Sequence, residues 1–197
     1  MTIHLDKRMR KLDRLNVKIS HCQLCKLSDT RIQPVTGEGI LNAKLMFVGE
    51  APGRKEDELG RPFVGRAGKI LDQMLSKVGI NRSYVYITNI VKCRPPGNRM
   101  PDLQERGTCM TNYLDREISI IQPKIICLMG RTAIWSLLGM KSVLPYRGKF
   151  IVQENRNYFL TLHPAATIYN NRLRSCLEED LILLSHKVNI LTSKNQS

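Results

Sequence analysis

Short apolar segments alternate with helical segments along this chain, and this alternation restricts the possible fold more than any other feature. Four segments have the composition of strands, and the last contains two strands around an Asn-rich turn. They are KLMFVGE at 44–50, SYVYITNIV at 83–91, KIICLMG at 124–130 and KFIVQENRNYFLTLHP at 149–164. We expect these strands to end at Gly49, Asn89, Gly130 and His163.

Apolar residues recur at helical spacing between these strands and near both ends of the chain. The predicted helices cover DKRMRKLDRLNVKI, AGKILDQMLSKVGI, MPDLQERGTCMTNYLDREISIIQP, RTAIWSLLG and RSCLEEDLILLSHKVNILT. Strands that alternate with helices predict an α/β fold, in which helices cover both faces of a mostly parallel sheet. We expect a single domain over residues 1–197, with a disordered tail at 193–197, and a ligand site at the carboxyl ends of the strands.

The charge of the chain favours a polyanionic partner. There are 31 Lys and Arg residues against 17 Asp and Glu residues, which gives a formal net charge of +14. Such a balance is typical of nucleic-acid binding, and a generally basic surface is the simpler alternative. The N-terminus is charged throughout, and no apolar run approaches the length of a membrane span. We therefore expect a cytoplasmic protein without a membrane partner.

Four of the six cysteines have a spacing typical of metal ligands. Cys22 and Cys25 form a C-x2-C pair, whose thiolates can reach one metal centre from a single tight turn. Cys93 and Cys109 form a C-x15-C pair that could converge on the first from loop and helix ends. Four thiolates suit either structural zinc or an iron–sulfur cluster, and the spacing alone does not separate the two. A disulfide framework is not expected in an intracellular chain of this size.

The segment GEAPG follows the first strand and combines a carboxylate with two glycines. A tight turn without chemistry is the simpler interpretation. Alternatively, Gly49 and Gly53 would let the backbone approach a flat ligand closely. Glu50 would then orient water or stabilise a developing cation.

Three further residues could bind a nucleic-acid base. Phe63, in RPFVG, offers a ring for stacking, which contributes about 1–3 kcal/mol per base. Asn89 could present its amide edge to a base, although an Asn at a strand end often caps the backbone. His163 ends the last strand before a proline, and a lone histidine is more often structural. Their joint occurrence with Glu50 at strand ends favours a functional site.

These motifs together resemble family 4 of the uracil-DNA glycosylase superfamily, the iron–sulfur uracil-DNA glycosylases. The resemblance extends from about Cys22 to the final helix and rests on the cysteine spacing and on GEAPG, GRPFVG, TNIVKCRPPGNRMP and HPAA. It implies a three-layer α/β/α sandwich with a central, mostly parallel four-stranded sheet. It also implies a monomeric repair enzyme that flips uracil out of single- or double-stranded DNA and hydrolyses the uracil–deoxyribose bond. The segment KCRPPGNRMP lacks the His-bearing insertion of the related covalent-trapping group, so ordinary turnover is expected.

The resemblance implies a role for each candidate site residue. Phe63 would stack on the flipped uracil, and Asn89 would read its N3–H and O4 edge. His163 would donate a hydrogen bond to uracil O2, where negative charge accumulates as the base leaves. Glu50 would orient the attacking water or stabilise the oxocarbenium-like sugar. Glu56 would line the pocket near uracil C5 and exclude the methyl group of thymine.

The basic residues that flank the candidate loops are expected to contact DNA phosphates. They are Arg61, Arg66, Lys92, Arg94 and Lys149. The segment AATIYNNRLR after His163 is the expected minor-groove wedge, which would fill the space that the flipped base leaves. Candidates for the wedge are Ile168, Tyr169 and Arg172.

The resemblance implies a 4Fe-4S cluster rather than zinc, with four ligands: Cys22, Cys25, Cys93 and Cys109. Two alternative functions remain open at this point. One is a non-catalytic DNA-binding module with structural zinc at the same cysteines, which would not explain Glu50, Asn89 and His163 together. The other is a glycosylase for another deaminated base such as hypoxanthine, against which the uracil-type Asn89 argues.

Overall fold

The computed structural model of the chain describes residues 2–168 and 170–193, with side chains described between residues 6 and 188. The strands are β1 (Glu38–Gly39), β2 (Leu45–Gly49), β3 (Tyr86–Asn89), β4 (Ile125–Met129), β5 (Phe150–Gln153) and β6 (Arg156–Thr161). They form one sheet in the order β1-β3-β2-β4-β6-β5. The neighbours β3, β2, β4 and β6 are parallel, whereas β1 and β5 pair antiparallel at the two edges.

The predicted α/β fold is confirmed, with a correction to the number of strands. The four parallel strands form the centre of the sheet, and two edge strands extend it to six. The last apolar segment folds into β5 and β6 around a turn at Glu154 and Asn155, whose φ angles are +49° and +59°. β1 has only two residues and no apolar pattern, so the sequence carries no signal for it.

The described residues form seven α-helices. They are α1 (Thr2–Ser20), α2 (Arg54–Leu59), α3 (Arg66–Lys77), α4 (Leu103–Cys109), α5 (Asp115–Ile121), α6 (Arg131–Leu138) and α7 (Asn171–Ser193). A π-helical turn at Met110–Leu114 joins α4 to α5 and begins directly after Cys109. Such turns within helices frequently occur at functional sites.

Helices cover both faces of the sheet and create two apolar cores. On one face, Val48 and Leu128 pack in a core that α1, α5 and α6 complete. On the other face, Phe47 and Cys127 pack in a core formed with α3 and α7. Phe47 and Val48 enter different cores because successive residues of a strand point to opposite faces. This is the predicted three-layer sandwich, and its central strands are apolar throughout because both faces are buried.

The predicted disordered tail and the absence of a membrane-spanning helix can both be compared with the structure. Of the predicted disordered tail at 193–197, Ser193 ends α7, and residues 194–197 lie outside the described part of the chain. No helix among the described residues is both long enough and apolar enough to cross a bilayer.

The parallel strands bring the predicted site residues to one edge of the sheet. Glu50 directly follows β2, Asn89 ends β3, Gly130 directly follows β4, and His163 follows β6 after one intervening residue. Gly49 and Asn89 are paired in register, so the ends of β2 and β3 are adjacent. Ligands of open α/β sheets bind in the crevice beyond such strand ends.

Candidate active site

A cavity of about 510 Å³ opens at the carboxyl ends of the central strands. Its wall contains Glu50, Phe63, Asn89 and His163, the four residues that the sequence indicates as a functional set. A larger groove of about 790 Å³ lies between α1 and α5, but none of these four residues lines it. The cavity at the strand ends is therefore the candidate active site.

Glycine is required at the end of β2 because two site residues approach it closely. A Cβ atom on Gly49 would lie 2.5 Å from Asn89 Oδ1 and 2.6 Å from Phe63 Cζ. Both distances are shorter than van der Waals contact, so any side chain at this position would displace both residues. The side chains that approach Gly49 closely are those of the cavity wall, and the approach of a flat ligand to this backbone stays a prediction.

Phe63 is held in an unusual backbone conformation. Its φ of +54° is in the left-handed region, which residues other than glycine rarely adopt. Conformations of this kind cost on the order of 1–3 kcal/mol and persist where the surrounding contacts enforce them. The ring is 5% exposed, and its centroid lies 5.7 Å from that of the His163 ring, with the planes inclined at 36°. The loop therefore fixes the ring beside the histidine.

The carboxylate of Glu56 is the contact that holds this loop. It accepts hydrogen bonds from the N–H groups of Val64 at 3.0 Å and Gly65 at 2.7 Å, directly after Phe63. It also accepts one from the N–H of Gly53 at 3.1 Å. Glu56 is 8% exposed, so these bonds satisfy a buried carboxylate. Glu56 lines the cavity, but its oxygens bind the loop backbone, and its contact with uracil C5 stays a prediction.

Asn89 presents an unpaired acceptor in the cavity wall. The residue is 3% exposed, and its Oδ1 has no hydrogen-bond partner in the described part of the protein. Leaving a buried polar atom without a partner costs about 1–3 kcal/mol, which makes such an atom a favourable place for a ligand donor. The main-chain carbonyl of Asn89, in contrast, accepts a hydrogen bond from Lys92 Nζ at 2.9 Å.

His163 is a neutral imidazole that carries its proton on Nε2. The N–H of Ala165 donates a hydrogen bond of 3.2 Å to His163 Nδ1, so Nδ1 has no proton. Burial lowers the pKa of His163 from 6.5 to about 4, against the opposing influence of the Glu56 charge. At neutral pH this residue of the cavity wall therefore has one ring donor, Nε2–H.

Glu50 is bound by a threonine that the sequence analysis did not identify. Thr132 Oγ1 donates a hydrogen bond to Glu50 Oε2. Thr132 is 2% exposed and lies in the first turn of α6, where the helix dipole favours a nearby negative charge. The second carboxylate oxygen, Oε1, has no such partner among the described residues. The arrangement fixes Glu50 as an acceptor with one oxygen available for water or substrate.

The four predicted metal ligands line one small cavity, away from the strand-end cavity. They are Cys22, Cys25, Cys93 and Cys109. Ile19, Leu27 and Tyr113 also line it, so its wall is largely apolar. No group of three or more Cys, His, Asp or Glu side chains in the described residues is arranged around a single metal ion. The four thiols thus line one space, although they are not arranged around a single ion.

Hydrogen-bond donors are directed at two of these sulfur atoms. Arg31 Nη1 lies 2.9 Å from Cys93 Sγ, and the N–H of Lys92 donates to Cys109 Sγ at 3.3 Å. Burial raises the pKa of the Cys93 thiol and raises that of Cys109 to about 12. A free thiol here would be protonated at neutral pH, whereas a bound metal would displace the proton and leave a thiolate that uses these donors.

The prediction that Lys92 contacts DNA phosphate is wrong. The side chain is 1% exposed, and its ammonium lies 2.6 Å from Oε2 of Glu117, which is 0% exposed. It also donates to Thr88 Oγ1 at 2.5 Å. Surrounded by these acceptors inside the protein, Lys92 cannot reach a phosphate. Lys92 follows β3 in the sequence, and this position is typical of an exposed loop cation. The sequence does not show that the buried Glu117 lies opposite it in the fold.

The other predicted phosphate contacts have different surroundings on the surface. Arg61 makes two hydrogen bonds of 2.8 Å to Glu38, which occupy its guanidinium. Arg94 donates to Asn98 Oδ1 at 2.8 Å, beside the strand-end cavity. Lys149 directly precedes β5 and does not line that cavity. Of the three, Arg94 lies in the most suitable place to contact a DNA strand at the site.

The remaining predicted DNA contacts flank the cavity or the turn after His163. Arg66 begins α3 and lines the cavity. Ile168 follows the short helical turn Pro164–Thr167, and Arg172 is exposed in the first turn of α7. Tyr169 lies outside the described residues.

Three further cations line the cavity: Arg54, Lys55 and Arg99. The sequence analysis did not identify the first two, whereas Arg99 belongs to the basic residues that flank the candidate loops. Arg54 and Lys55 begin α2 directly after GEAPG. Their position next to this motif could have indicated that they lie at the site. Thr132 had a weaker signal, since it follows the end of β4 where a helix begins.

Comparison with known proteins gives a consistent assignment. The chain matches the model of the uracil DNA glycosylase superfamily over residues 36–184. It is 47% identical over 182 residues to a type-4 uracil-DNA glycosylase of Sulfurisphaera tokodaii, covering 87% of this chain and 82% of the relative. Identity to the type-4 uracil-DNA glycosylase of Saccharolobus solfataricus is 44% over 182 residues, with coverage of 87% and 84%. For the type-4 enzyme of Archaeoglobus fulgidus it is 40% over 197 residues, with coverage of 95% and 96%. The chain therefore belongs to the uracil-DNA glycosylase superfamily and, within it, to the type-4 uracil-DNA glycosylases.

Proposed function

We propose that this protein is a DNA repair enzyme that flips uracil out of DNA and hydrolyses the bond between uracil N1 and deoxyribose C1′. The relatives support the activity. The observation that supports the site is the unpaired Oδ1 of Asn89, a buried acceptor in a cavity that also contains Phe63 and a neutral His163. A base within a duplex cannot be attacked by water, so the enzyme must first rotate it into such a cavity, at a cost of a few kcal/mol.

Uracil complements the polar groups of the cavity wall. Its N3–H would donate to Asn89 Oδ1, and its O4 would accept from the Asn89 amide nitrogen. Its ring would stack on Phe63, whose position is fixed by the left-handed turn. Cytosine has an acceptor at N3 and a donor at N4, so the same orientation of the amide would be mismatched at both atoms. A site built to hydrogen-bond its ligand rejects a mismatched analogue by as much as about 10⁴–10⁵-fold.

Bond cleavage requires that charge be stabilised at both ends of the breaking bond. The electron pair of the C1′–N1 bond moves into the uracil ring, and negative charge develops at O2. His163 Nε2–H would donate to that oxygen, an interaction that strengthens as the charge grows. Positive charge develops on the sugar, where Glu50 would stabilise it or orient the water that attacks C1′. As the oxygen of this water bonds to C1′, the water gives a proton to solvent, and the released uracil anion takes up a proton at N1, which leaves an abasic sugar and a neutral free base.

We infer that Cys22, Cys25, Cys93 and Cys109 hold a 4Fe-4S cluster. The four thiols line one largely apolar cavity, and four thiolates are the usual ligands of such a cluster. The preference for a cluster over zinc rests on the resemblance to the iron–sulfur family. When bound, the cluster would connect the end of α1 with the segment after β3 and with α4. Arg31 and the Lys92 N–H would donate to the sulfur atoms and thereby influence the reduction potential.

DNA would bind across the strand-end cavity. Arg66 and Arg94, which line or flank it, support this placement. Arg54, Lys55 and Arg99 also line it, although Glu58 and Glu105 pair with them as Glu38 does with Arg61. Ile168 and Arg172 are the described candidates for the wedge. A monomeric state and a cytoplasmic location stay predictions from the sequence.

Base release from oligonucleotides tests the proposal. Single-turnover rates are measured with a single uracil, hypoxanthine or thymine in otherwise identical strands, single-stranded and duplex, with metal analysis of the same sample. We expect release of uracil, no release of thymine, and a rate for hypoxanthine lower by several orders of magnitude. Faster release of hypoxanthine than of uracil would favour the other-base glycosylase. Zinc in place of iron, without any base release, would favour the DNA-binding module.

A further inference from the structure

The segment from Asn89 to Cys93 connects the base-reading position with the cysteine cavity. Asn89 lies in the wall of the strand-end cavity, and Cys93 lines the cysteine cavity. Lys92, within this segment, contacts one residue of each cavity wall. Its N–H donates to Cys109 Sγ at 3.3 Å, and its ammonium donates to the Asn89 carbonyl oxygen at 2.9 Å.

A buried network holds the Lys92 ammonium in one place. Nζ lies 2.6 Å from Glu117 Oε2 and 2.5 Å from Thr88 Oγ1. The Thr88 hydroxyl donates to Glu117 Oε2 at 2.9 Å, and Glu117 Oε1 accepts from the N–H of Gly37 at 3.2 Å. The exposed fractions of the Lys92 and Glu117 side chains are 1% and 0%, so both charges are satisfied within the protein.

The network determines the placement of Asn89 from the interior side of the strand end. The carbonyl of the Asn89–Ile90 peptide is bound by Lys92, and its N–H donates to Gly49 O at 2.9 Å. Both polar groups of this peptide are therefore fixed. The Asn89 side chain has no hydrogen bond through Oδ1, so that its orientation depends on the backbone and on packing against Gly49.

We infer that Lys92 is a positioning residue for base recognition, acting through Asn89. With Glu117 behind it, the ammonium holds the Asn89 peptide so that the amide faces the uracil N3–H and O4 edge. This deepens the proposed function and rests on it, since it requires that Asn89 reads the base.

A purely structural ion pair would behave differently. Replacing a buried ion pair by neutral groups of similar size is often neutral or stabilising, whereas removing one partner is strongly destabilising. A structural role therefore predicts that neutralising both partners leaves uracil recognition intact. A positioning role predicts that recognition weakens even in a well-folded variant, because the Asn89 carbonyl loses its charged donor.

The test uses the double variant Lys92→Met, Glu117→Gln, which removes both charges together and keeps the volume. Thr88→Val is a milder variant that removes only the hydroxyl of the network. Ile118→Val serves as the control, because it loosens α5 beside Glu117 without touching the network. Asn89→Ala is the reference for complete loss of base reading. Folding of each purified variant is checked by circular dichroism.

Two dissociation constants are measured for each variant. One is for DNA with a non-cleavable 2′-fluoro-arabino-uridine, and the other is for the same DNA with a tetrahydrofuran abasic analogue. The dissociation constant for abasic DNA divided by that for uridine DNA isolates uracil recognition from phosphate binding, and this ratio falls when recognition weakens. We expect the ratio to fall by about tenfold in the double variant and about threefold in Thr88→Val, as the loss of a hydrogen bond with a charged donor predicts, with no change in Ile118→Val.

The reference variant separates failure of this inference from failure of the proposed function. If Asn89→Ala lowers the ratio but neither the double variant nor Thr88→Val does, Lys92 is only structural and the inference is overturned. If Asn89→Ala itself leaves the ratio unchanged, Asn89 does not read uracil, and the proposed site fails together with the inference. If the double variant does not fold, the ratio for Thr88→Val decides the inference.

Discussion

The hydroxyl of Thr132 donates a hydrogen bond to Glu50 Oε2, joining the first turn of α6 to the end of β2. One carboxylate oxygen is thereby fixed, and the other is left for water or for the sugar of the substrate. The bond gives the Glu50 carboxylate one defined orientation, which the sequence alone did not indicate.

Thr132→Val should separate orientation of Glu50 from substrate binding. The substitution keeps the shape but removes the donor, so we expect kcat to fall by about tenfold, the value of one hydrogen bond to a charged group. KM should change little because Thr132 does not contact the base. Thr132→Ser, which keeps the hydroxyl, should retain most of the wild-type kcat. Equal rates for the Val variant and the wild type would show that this bond does not serve catalysis.

His163 should function as a neutral donor over an unusually wide acidic range. Because burial lowers its pKa to about 4, we expect the acid limb of the kcat/KM profile that belongs to His163 to lie near pH 4. Protonation of Nδ1 would also break the bond from the Ala165 N–H. We therefore expect His163 to cause no change in kcat/KM between pH 5 and 7. An acid limb near pH 6.5 in the wild type that is absent in His163→Asn would contradict this expectation.

The same pKa has a consequence for stability. The unfolded chain binds a proton at its histidines near pH 6.5, whereas folded His163 does so only near pH 4. The free energy of unfolding should therefore decrease as the pH falls from about 6.5 towards 4, by an amount that His163→Asn removes. Urea unfolding at several pH values measures this difference.

His163→Ala should remove the donor at uracil O2. Loss of one such donor typically reduces the rate by about 10²–10³-fold. Single-turnover cleavage should therefore fall sharply, while binding to abasic DNA should remain nearly intact. A variant that cleaves at the wild-type rate would exclude His163 from the mechanism.

Glu56 should contribute to both stability and substrate binding through the Phe63 loop. Glu56→Gln places an amide where three backbone N–H groups need acceptors, so we expect the free energy of unfolding to fall by about 1–3 kcal/mol. KM should rise because the Phe63 ring is less firmly held. Glu58→Gln in the same helix loses only exposed ion pairs and should change stability by less than about 1 kcal/mol. Indistinguishable urea midpoints and KM values for the two variants would contradict the role of Glu56.

The cysteine cavity should contain iron. Protein purified without oxygen should be brown, with about four irons per chain for a cluster held by four cysteines. Cys109→Ala should lose the colour and much of the solubility. Cys127→Ala is the control, since Cys127 is buried in the opposite core and should not affect the iron content. Stoichiometric zinc and no iron in the wild-type protein would contradict the cluster.

The general architecture was predictable because it depends on local patterns. Continuous apolar runs marked the four parallel strands, and the residues that stop those runs lie together because parallel strands end at one edge. This is why Asn89 and His163 could be assigned to a common site before their positions were known.

Other features depend on contacts between distant segments and were not predictable from a single sequence. Lys92 has the composition of a surface cation, yet Glu117, 25 positions away, neutralises it in the interior. The left-handed conformation of Phe63 depends on hydrogen bonds that Glu56, on α2, accepts from the loop residues Val64 and Gly65. Thr132 follows β4 as an ordinary helix-start residue, and only the packing of α6 against the end of β2 brings it to Glu50.

Paired release of uracil and cytosine by the wild type and Asn89→Asp tests the central claim most directly. The substitution replaces the amide donor by a second acceptor, which repels uracil O4 and can accept from the cytosine N4 amino group. Release rates are measured from single-stranded and mispaired oligonucleotides that differ only in this base. We predict that Asn89→Asp loses most uracil release and gains weak cytosine release, while its affinity for abasic DNA stays within about a factor of three of the wild type. Wild-type uracil release by Asn89→Asp would show that Asn89 does not read the base and would contradict the account of the site.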